Sequence, residues 1–281
     1  MPYGYNMKLP DNIPQTIRIA LQEDIGTGDV TANLIPLDEN SKATVVCRDP
    51  AVLSGTAWFD EAFYQVDNSV IVQWYYKDGD LVEADTVLCR IQGASRSLLS
   101  AERVALNFLQ LLSATATQTR AYVEKVAGTK AQILDTRKTI PGLRKAQKYA
   151  VTCGGGSNHR IGLYDRVLIK ENHIMAAGSI LRAVEQAKLL YPELLVEVET
   201  ENKAEFEEAS QAGADIIMLD NFSLEDMREV VTLNQGKILL EASGGVSLQT
   251  VRAIAETGVG YISVGEITKD IKAIDLSMRF E

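Results

Sequence analysis

Asp215-Ile216-Ile217-Met218-Leu219 ends on Asp220-Asn221, gives way to an amphipathic stretch from Leu224 to Val231, and is followed by Lys237-Ile238-Leu239-Leu240, which ends on Glu241-Ala242-Ser243-Gly244-Gly245. A short β-branched apolar run, a polar stop, a helical pattern and another run is the grammar of a strand, a crossover helix and a parallel strand. From about residue 131 the chain repeats it six times. The other runs are Ala131-Gln132-Ile133-Leu134, Arg166-Val167-Leu168-Ile169, Leu195-Val196-Glu197-Val198 and Gly260-Tyr261-Ile262-Ser263-Val264. Further helical patterns cover Ser179 to Leu190, Lys203 to Gln211 and Leu248 to Thr257.

Repeated units of this kind, with short connections and no dinucleotide-binding fingerprint, favour closure into an α/β barrel over an open sheet. Six runs fall short of the usual eight or so. The expected architecture is therefore a six-stranded, incomplete α/β barrel of parallel strands over residues 116–269. The residues just past each run carry chemistry: Asp135-Thr136-Arg137-Lys138, Lys170-Glu171-Asn172-His173, Glu199, Asp220-Asn221, the Glu241 to Gly245 loop, and Gly265-Glu266. In an α/β barrel all six sets converge on one mouth.

The first 115 residues read differently. A helix is expected over Ile13 to Leu21, strands at Ala43 to Arg48 and Val70 to Tyr76, and a long helix from Leu98 to Thr117. Lys77-Asp78-Gly79-Asp80 predicts a hairpin turn between Val70–Tyr76 and Leu81–Val82. These elements make an N-terminal α/β sandwich domain over residues 1–115, joined by the C-terminal tail 270–281.

The composition limits the function. The chain has 281 residues and a net charge of −10, which argues against non-specific nucleic-acid binding. No stretch approaches the roughly 20 uninterrupted apolar residues of a membrane span. The first eight residues carry no targeting signal, so cytoplasm is the expected location. Cys47, Cys89 and Cys153 lie far apart without C-x-x-C spacing, which predicts reduced thiols rather than disulfides or a zinc site.

Inside this acidic chain, the segment from Asp135 to Lys170 is locally cationic. Arg137 and Arg160 offer guanidinium forks suited to planar carboxylates, and Lys138 and Lys170 offer compact charges suited to phosphate. Both histidines of the chain, His159 and His173, fall near it. Their spacing is wrong for a helical metal pair, and His159 is expected to donate hydrogen bonds to an anionic substrate. His173 reads equally well as a supporting or packing residue. Glu199 and Asp220 beside a polyanion would be repulsive unless a hard cation bridged them, which points to Mg²⁺, bound directly or through water. Ser243-Gly244-Gly245 and Gly265 fit a phosphate site of backbone N–H groups at helix N-termini. Gly154-Gly155-Gly156 lacks the order of a P-loop, and close backbone packing is its simplest role.

Taken together, Asp135 to Arg144, Gly154 to Arg160, Ile169 to His173, Glu23 to Thr31, Ala101 to Asn107 and Glu241 to Gly245 resemble the quinolinate phosphoribosyltransferase family along the whole chain. The resemblance implies transfer of phosphoribose from phosphoribosyl pyrophosphate to quinolinate with loss of CO2, giving nicotinate mononucleotide and pyrophosphate in de novo NAD biosynthesis. It implies that Arg103, Arg137, His159, Arg160 and Lys170 line the substrate site, with Glu199 and Asp220 at the ribose and its metal. Lys138, Lys170, Glu199 and Asp220 are the catalytic candidates. Arg103 is expected to come from a second subunit, making a homodimer with shared sites; assembly into hexamers is left open. A molybdenum-associated relative of the same fold is the nearer rival, against which Lys170 and Asn158-His159-Arg160 speak. A biotinyl/lipoyl-like binding protein is the more distant one, suggested by Val70 to Ile91 but lacking an attachment site.

Overall fold

The computed structural model describes residues 7–281. The first six residues, which belong to the stretch without a targeting signal, lie outside the described residues. In chain order the elements begin with α1 (Ile13–Ile25), β1 (Asn40–Cys47), β2 (Ala51–Val52), α2 (Thr56–Val66), β3 (Ile71–Trp74), β4 (Leu81–Val82), β5 (Thr86–Ala94) and α3 (Ser95–Lys125). They continue with β6 (Gln132–Leu134), α4 (Arg144–Cys153), β7 (Val167–Ile169), α5 (Glu171–Ala177), α6 (Ile180–Leu190), β8 (Val196–Thr200), α7 (Lys203–Gln211) and β9 (Ile216–Asp220). The last are α8 (Leu224–Asn234), β10 (Leu239–Ser243), α9 (Val251–Ala255), β11 (Tyr261–Ser263), α10 (Glu266–Lys269) and β12 (Leu276–Phe280).

Two compact units share these elements. One gathers residues 7–120, 140–155 and 270–281. Its four-stranded antiparallel sheet runs β12-β1-β5-β3, and β2 pairs with β4 apart from it. The long helix α3 buries Leu98, Ala101, Ala105, Leu109, Leu112 and Ala116, a spacing of three and four residues that lays one apolar face on the core. Ile17 of α1, Phe59 and Phe63 of α2, and Val45 and Ile91 of the sheet join the same cluster. Ala146 and Ala150 of α4 belong to it as well, so the segment after the first barrel run packs with this unit. Cys47, Cys89 and Cys153 are all free thiols here, the first two buried.

The hairpin expected at Lys77 to Asp80 does not form. A turn is present, with the Asp80 N–H donating to the Lys77 carbonyl at 3.0 Å and Gly79 at φ 93°. Its flanking strands then part company: β3 pairs with β5, and β4 pairs with β2. An Asp-Gly turn fixes the reversal of the chain but not the partner of each strand, and β5, absent from the sequence reading, is the better partner for β3.

The other unit gathers residues 121–139 and 156–269. Its six strands are all parallel and run β6-β11-β10-β9-β8-β7. The unit's first strand pairs with its last, Ile133 opposite Ile262. The seam falls between β6 and β7. There β6 instead meets a single bridge from Leu134 to Ser157, in the connection leading away from it. This is the six-stranded, incomplete barrel expected from the sequence. Outside it, α6 packs on β7 and β8, α7 on β8 and β9, and α9 on β11. Local chemistry starts these helices in the right place: Ser179, Asn202 and Ser223 each accept a backbone N–H three residues on. Among the described residues, no helix is long and apolar enough to cross a membrane.

Candidate active site

Parallel strands put all six C-terminal ends on one rim, and period-2 alternation decides which residues point inward. The result is a pocket of about 400 Å³ within the barrel unit. Arg137, Lys138, His159, Arg160 and Lys170 bring cationic or imidazole groups, and Glu199, Asp220 and Glu241 bring carboxylates. Thr136, Ser243 and Ser263 add hydroxyls, and Leu168 and Met218 supply an apolar wall. Eight of the twelve residues expected from the sequence therefore line one cavity.

The other four lie elsewhere. Arg103 is exposed on α3, in the other unit. Gly244 has φ 90°, and a Cβ there would sit 2.1 Å from Asn221 Oδ1, so only glycine lets the loop close over Asn221. Gly245 comes next at φ 57°. Gly265 leaves room for Lys138, whose Cδ would lie 3.2 Å from an added Cβ. Of the two glycine loops, the one at Gly265 opens straight into a helix, the short α10, while the loop at Ser243 to Gly245 reaches α9 only at Val251.

The loop carrying His159 and Arg160 has no secondary structure, and side chains hold its backbone. Asp135, fully buried at the end of β6, accepts the His159 N–H at 2.9 Å and the Asn158 side-chain amide at 2.7 Å. His159 Nδ1 accepts the Arg160 N–H at 2.7 Å. Asp165 accepts the N–H groups of Ile161 at 2.7 Å and Gly162 at 2.9 Å. Asp135 stands in the most recognisable motif of the sequence, yet it faces the protein rather than the pocket.

Beneath the pocket lies a buried charge cluster. His159 Nε2 is 3.2 Å from Glu197 Oε2 and 3.5 Å from Glu241 Oε2, and Arg166 Nη1 reaches the same Glu197 oxygen at 3.4 Å. Burial works against a charged imidazole, the Glu241 and Glu197 carboxylates work for it, and the ring is left more basic than an ordinary histidine. Sequence reasoning missed Glu197, and it placed Glu241 only at the head of the chemistry-bearing loop after its strand, with no role of its own. The available signal is a carboxylate inside a strand otherwise made of buried apolar residues, which is costly unless it is paired. One nitrogen and two carboxylate oxygens, all within 4.8 Å, are suitable donors for a cation. Arg166 already supplies a positive charge beside Glu197.

Higher in the pocket, burial and the neighbouring Arg137 guanidinium lower the Arg160 pKa from its ordinary value, against the opposing pull of Glu197 and Asp165. Two guanidinium groups that repel one another are a site prepared for a dianion. Lys170 makes an ion pair with Glu199, and its backbone N–H donates to His173 Nδ1 at 3.0 Å. His173 thus fastens the first turn of α5 directly behind Lys170. The Asp220 carboxylate accepts from Asn221 Nδ2 at 2.9 Å. Glu199 and Asp220 are hard oxygen donors on adjacent strand ends, a set that fits Mg²⁺ completed by water and phosphate oxygens.

Comparison with known proteins identifies the family. The quinolinate phosphoribosyl transferase C-terminal domain matches residues 115–279, and the N-terminal domain of the same family matches residues 29–113. The chain belongs to the quinolinate phosphoribosyltransferase family. A probable carboxylating nicotinate-nucleotide pyrophosphorylase of Bacillus subtilis is 43% identical over 257 residues, covering 91% of this chain and 89% of that protein. A decarboxylating quinolinate phosphoribosyltransferase of Nicotiana tabacum is 42% identical, covering 94% and 81%. The solved structure of the nicotinate-nucleotide pyrophosphorylase from Francisella tularensis superposes with a TM-score of 0.96 at 48% identity, over 99% of each chain. Membership of the family settles the choice against the biotinyl/lipoyl-like reading.

Proposed function

We propose that this chain transfers the phosphoribosyl group of phosphoribosyl pyrophosphate to the nitrogen of quinolinate. The observation that carries this is the pairing of Arg137 and Arg160, with Lys138 and Lys170, in one pocket that also presents Glu199 and Asp220. The pyridine nitrogen forms a bond to the anomeric carbon as the bond to the pyrophosphate oxygen breaks, and the electron pair leaves with pyrophosphate. The C2 carboxylate of the now cationic ring departs as CO2, its bonding pair stays on the ring carbon, and a proton from solvent replaces it. The products are nicotinate mononucleotide, pyrophosphate and CO2, a step of de novo NAD biosynthesis.

The protein's contribution is positional and electrostatic. Arg137 and Arg160 grip the planar dicarboxylate, Lys138 and Lys170 face the phosphates, and Ser243 with the glycine loops receives the 5-phosphate. Glu199 and Asp220 hold the ribose hydroxyls and Mg²⁺, which when bound offsets charge on the pyrophosphate oxygens. Incubating the protein with quinolinate, phosphoribosyl pyrophosphate and Mg²⁺ should yield pyridine nucleotide and CO2 in equal amounts, and activity should vanish with chelator and return with added Mg²⁺. Absence of product from folded protein that also fails to bind quinolinate refutes the assignment.

The active form in this reading is a homodimer in which Arg103 of one subunit completes the pocket of the other. Its support is that Arg103 is exposed and outside the pocket lined by its own barrel. Mixing an inactive Arg103→Ala protein with an inactive Lys138→Ala protein should restore partial activity. A cytoplasmic location belongs to the same proposal and is supported by three free thiols without a crosslink.

A further inference from the structure

Four consecutive backbone N–H groups, from His159 to Gly162, donate to side chains: Asp135, His159 itself, and Asp165 twice. The second of these clamps is chemically distinctive because its acceptor is an imidazole. An acceptor at Nδ1 puts the ring's proton on Nε2, where Glu197 and Glu241 face it. An imidazole has two nitrogens, and here the protein takes both. The ring borders the pocket with only 6% of its surface exposed. The guanidinium of Arg160 shares that lining and is steadied by the Arg166 carbonyl, 3.5 Å from Nη1.

Resting on the quinolinate reading of this pocket, we infer that His159 is a positioning residue: Glu197 and Glu241 fix its ring, and the ring fixes the Arg160 backbone so that the Arg160 guanidinium meets a substrate carboxylate. This replaces the expectation that His159 donates to the substrate. The buried carboxylates thereby gain a purpose in specificity, since the ring they fix is the one that holds the Arg160 backbone.

The test uses the full-length protein with ¹⁵N-labelled histidine. Only two ring systems contribute signals, and His173→Gln identifies which belongs to His159. At a pH above the ring's own titration, located from its ¹⁵N shifts, the ligand-free protein should show His159 as the Nε2–H tautomer, and saturation with quinolinate should leave that tautomer unchanged. A ring that changes tautomer or gains a proton when quinolinate binds overturns the inference. A wild-type protein that does not bind quinolinate at all overturns the functional reading instead, so the two failures are distinct. Substitution gives a second readout. Asparagine keeps an acceptor at the Nδ1 position, whereas glutamine keeps a donor near Nε2. His159→Asn should hold the KM for quinolinate within about threefold, while His159→Gln should raise it at least about tenfold, the scale of one lost hydrogen bond to a charged group's support. The KM for phosphoribosyl pyrophosphate should move with neither. The reverse order, with glutamine the better substitute, also overturns the inference.

Discussion

Replacing Asp135 tests whether the site loop is held from beneath, as the structure indicates. The carboxylate is fully buried and accepts two hydrogen bonds, from the His159 N–H and from the Asn158 amide, at 2.9 and 2.7 Å. Asp135→Ala strands two buried donors, each costing about 1–3 kcal/mol, so the loss of stability should be about 4 kcal/mol. For a protein of this size each kcal/mol lowers Tm by about 2–4 °C, which gives a fall of about 8–16 °C. Asp135→Asn should behave differently. Its remaining oxygen can still accept the His159 N–H, and a flip of the Asn158 amide can answer the new NH₂ group. The loss should then be about 1–2 kcal/mol, the value of the charge on those bonds. Thermal unfolding gives the first number, and calorimetric titration with quinolinate shows whether loop and affinity fail together. An alanine variant within about 1 kcal/mol of wild type refutes the buried-donor argument. An asparagine variant as damaged as alanine shows that charge, not donor satisfaction, is what the site needs.

Arg137→Ala should cut quinolinate affinity about a hundredfold or more, the value of a bidentate charged contact, with Tm unchanged; unaltered affinity in titration means the dicarboxylate sits elsewhere. Gly154→Ala should destabilise the protein by about 3 kcal/mol through overpacking, because the new Cβ would lie 2.4 Å from the Ala116 carbonyl oxygen and 2.6 Å from Thr119 Cβ. Denaturant melts check this, and a shift under about 1 kcal/mol contradicts it. The pH dependence comes from the His159 ring, more basic than an ordinary histidine. As pH falls through its pKa, Nδ1 gains a proton and can no longer accept the Arg160 N–H, so the KM for quinolinate rises on the acid side. Glu241→Gln removes a charge that favours the protonated ring, so the acid limb of kcat/KM should move to lower pH; a limb that moves up contradicts the assignment.

Much of the barrel is legible in the sequence because its strands are apolar runs that stop on functional residues: Leu219 to Asp220 and Ile169 to Lys170 announce both the strand and the mouth. Rim residues can be found for the same reason. The floor cannot. Glu197 sits inside a run whose pattern says only strand, Glu241 ends its run without showing which way it faces, and pairing of either with His159 depends on a register between elements far apart in sequence. Asp135 is visible but its direction is not, since the turn after β6 aims it inward while Arg137 reaches the pocket. Close packing is the expectation for Gly154 to Gly156, and the contact of Gly154 with α3 bears that out for this glycine.

The pairing of β6 with β11 sets an order of events in time. Parallel partners so distant in sequence close a long loop before they gain contact energy. Arg137 and Lys138, which line the pocket, follow a strand whose only neighbouring strand among the described residues is β11. A ribosome must therefore have produced nearly the whole barrel before those side chains acquire a fixed position. Until then the growing chain has cationic groups but no pocket, and synthesis interrupted before β11 yields no partly active product.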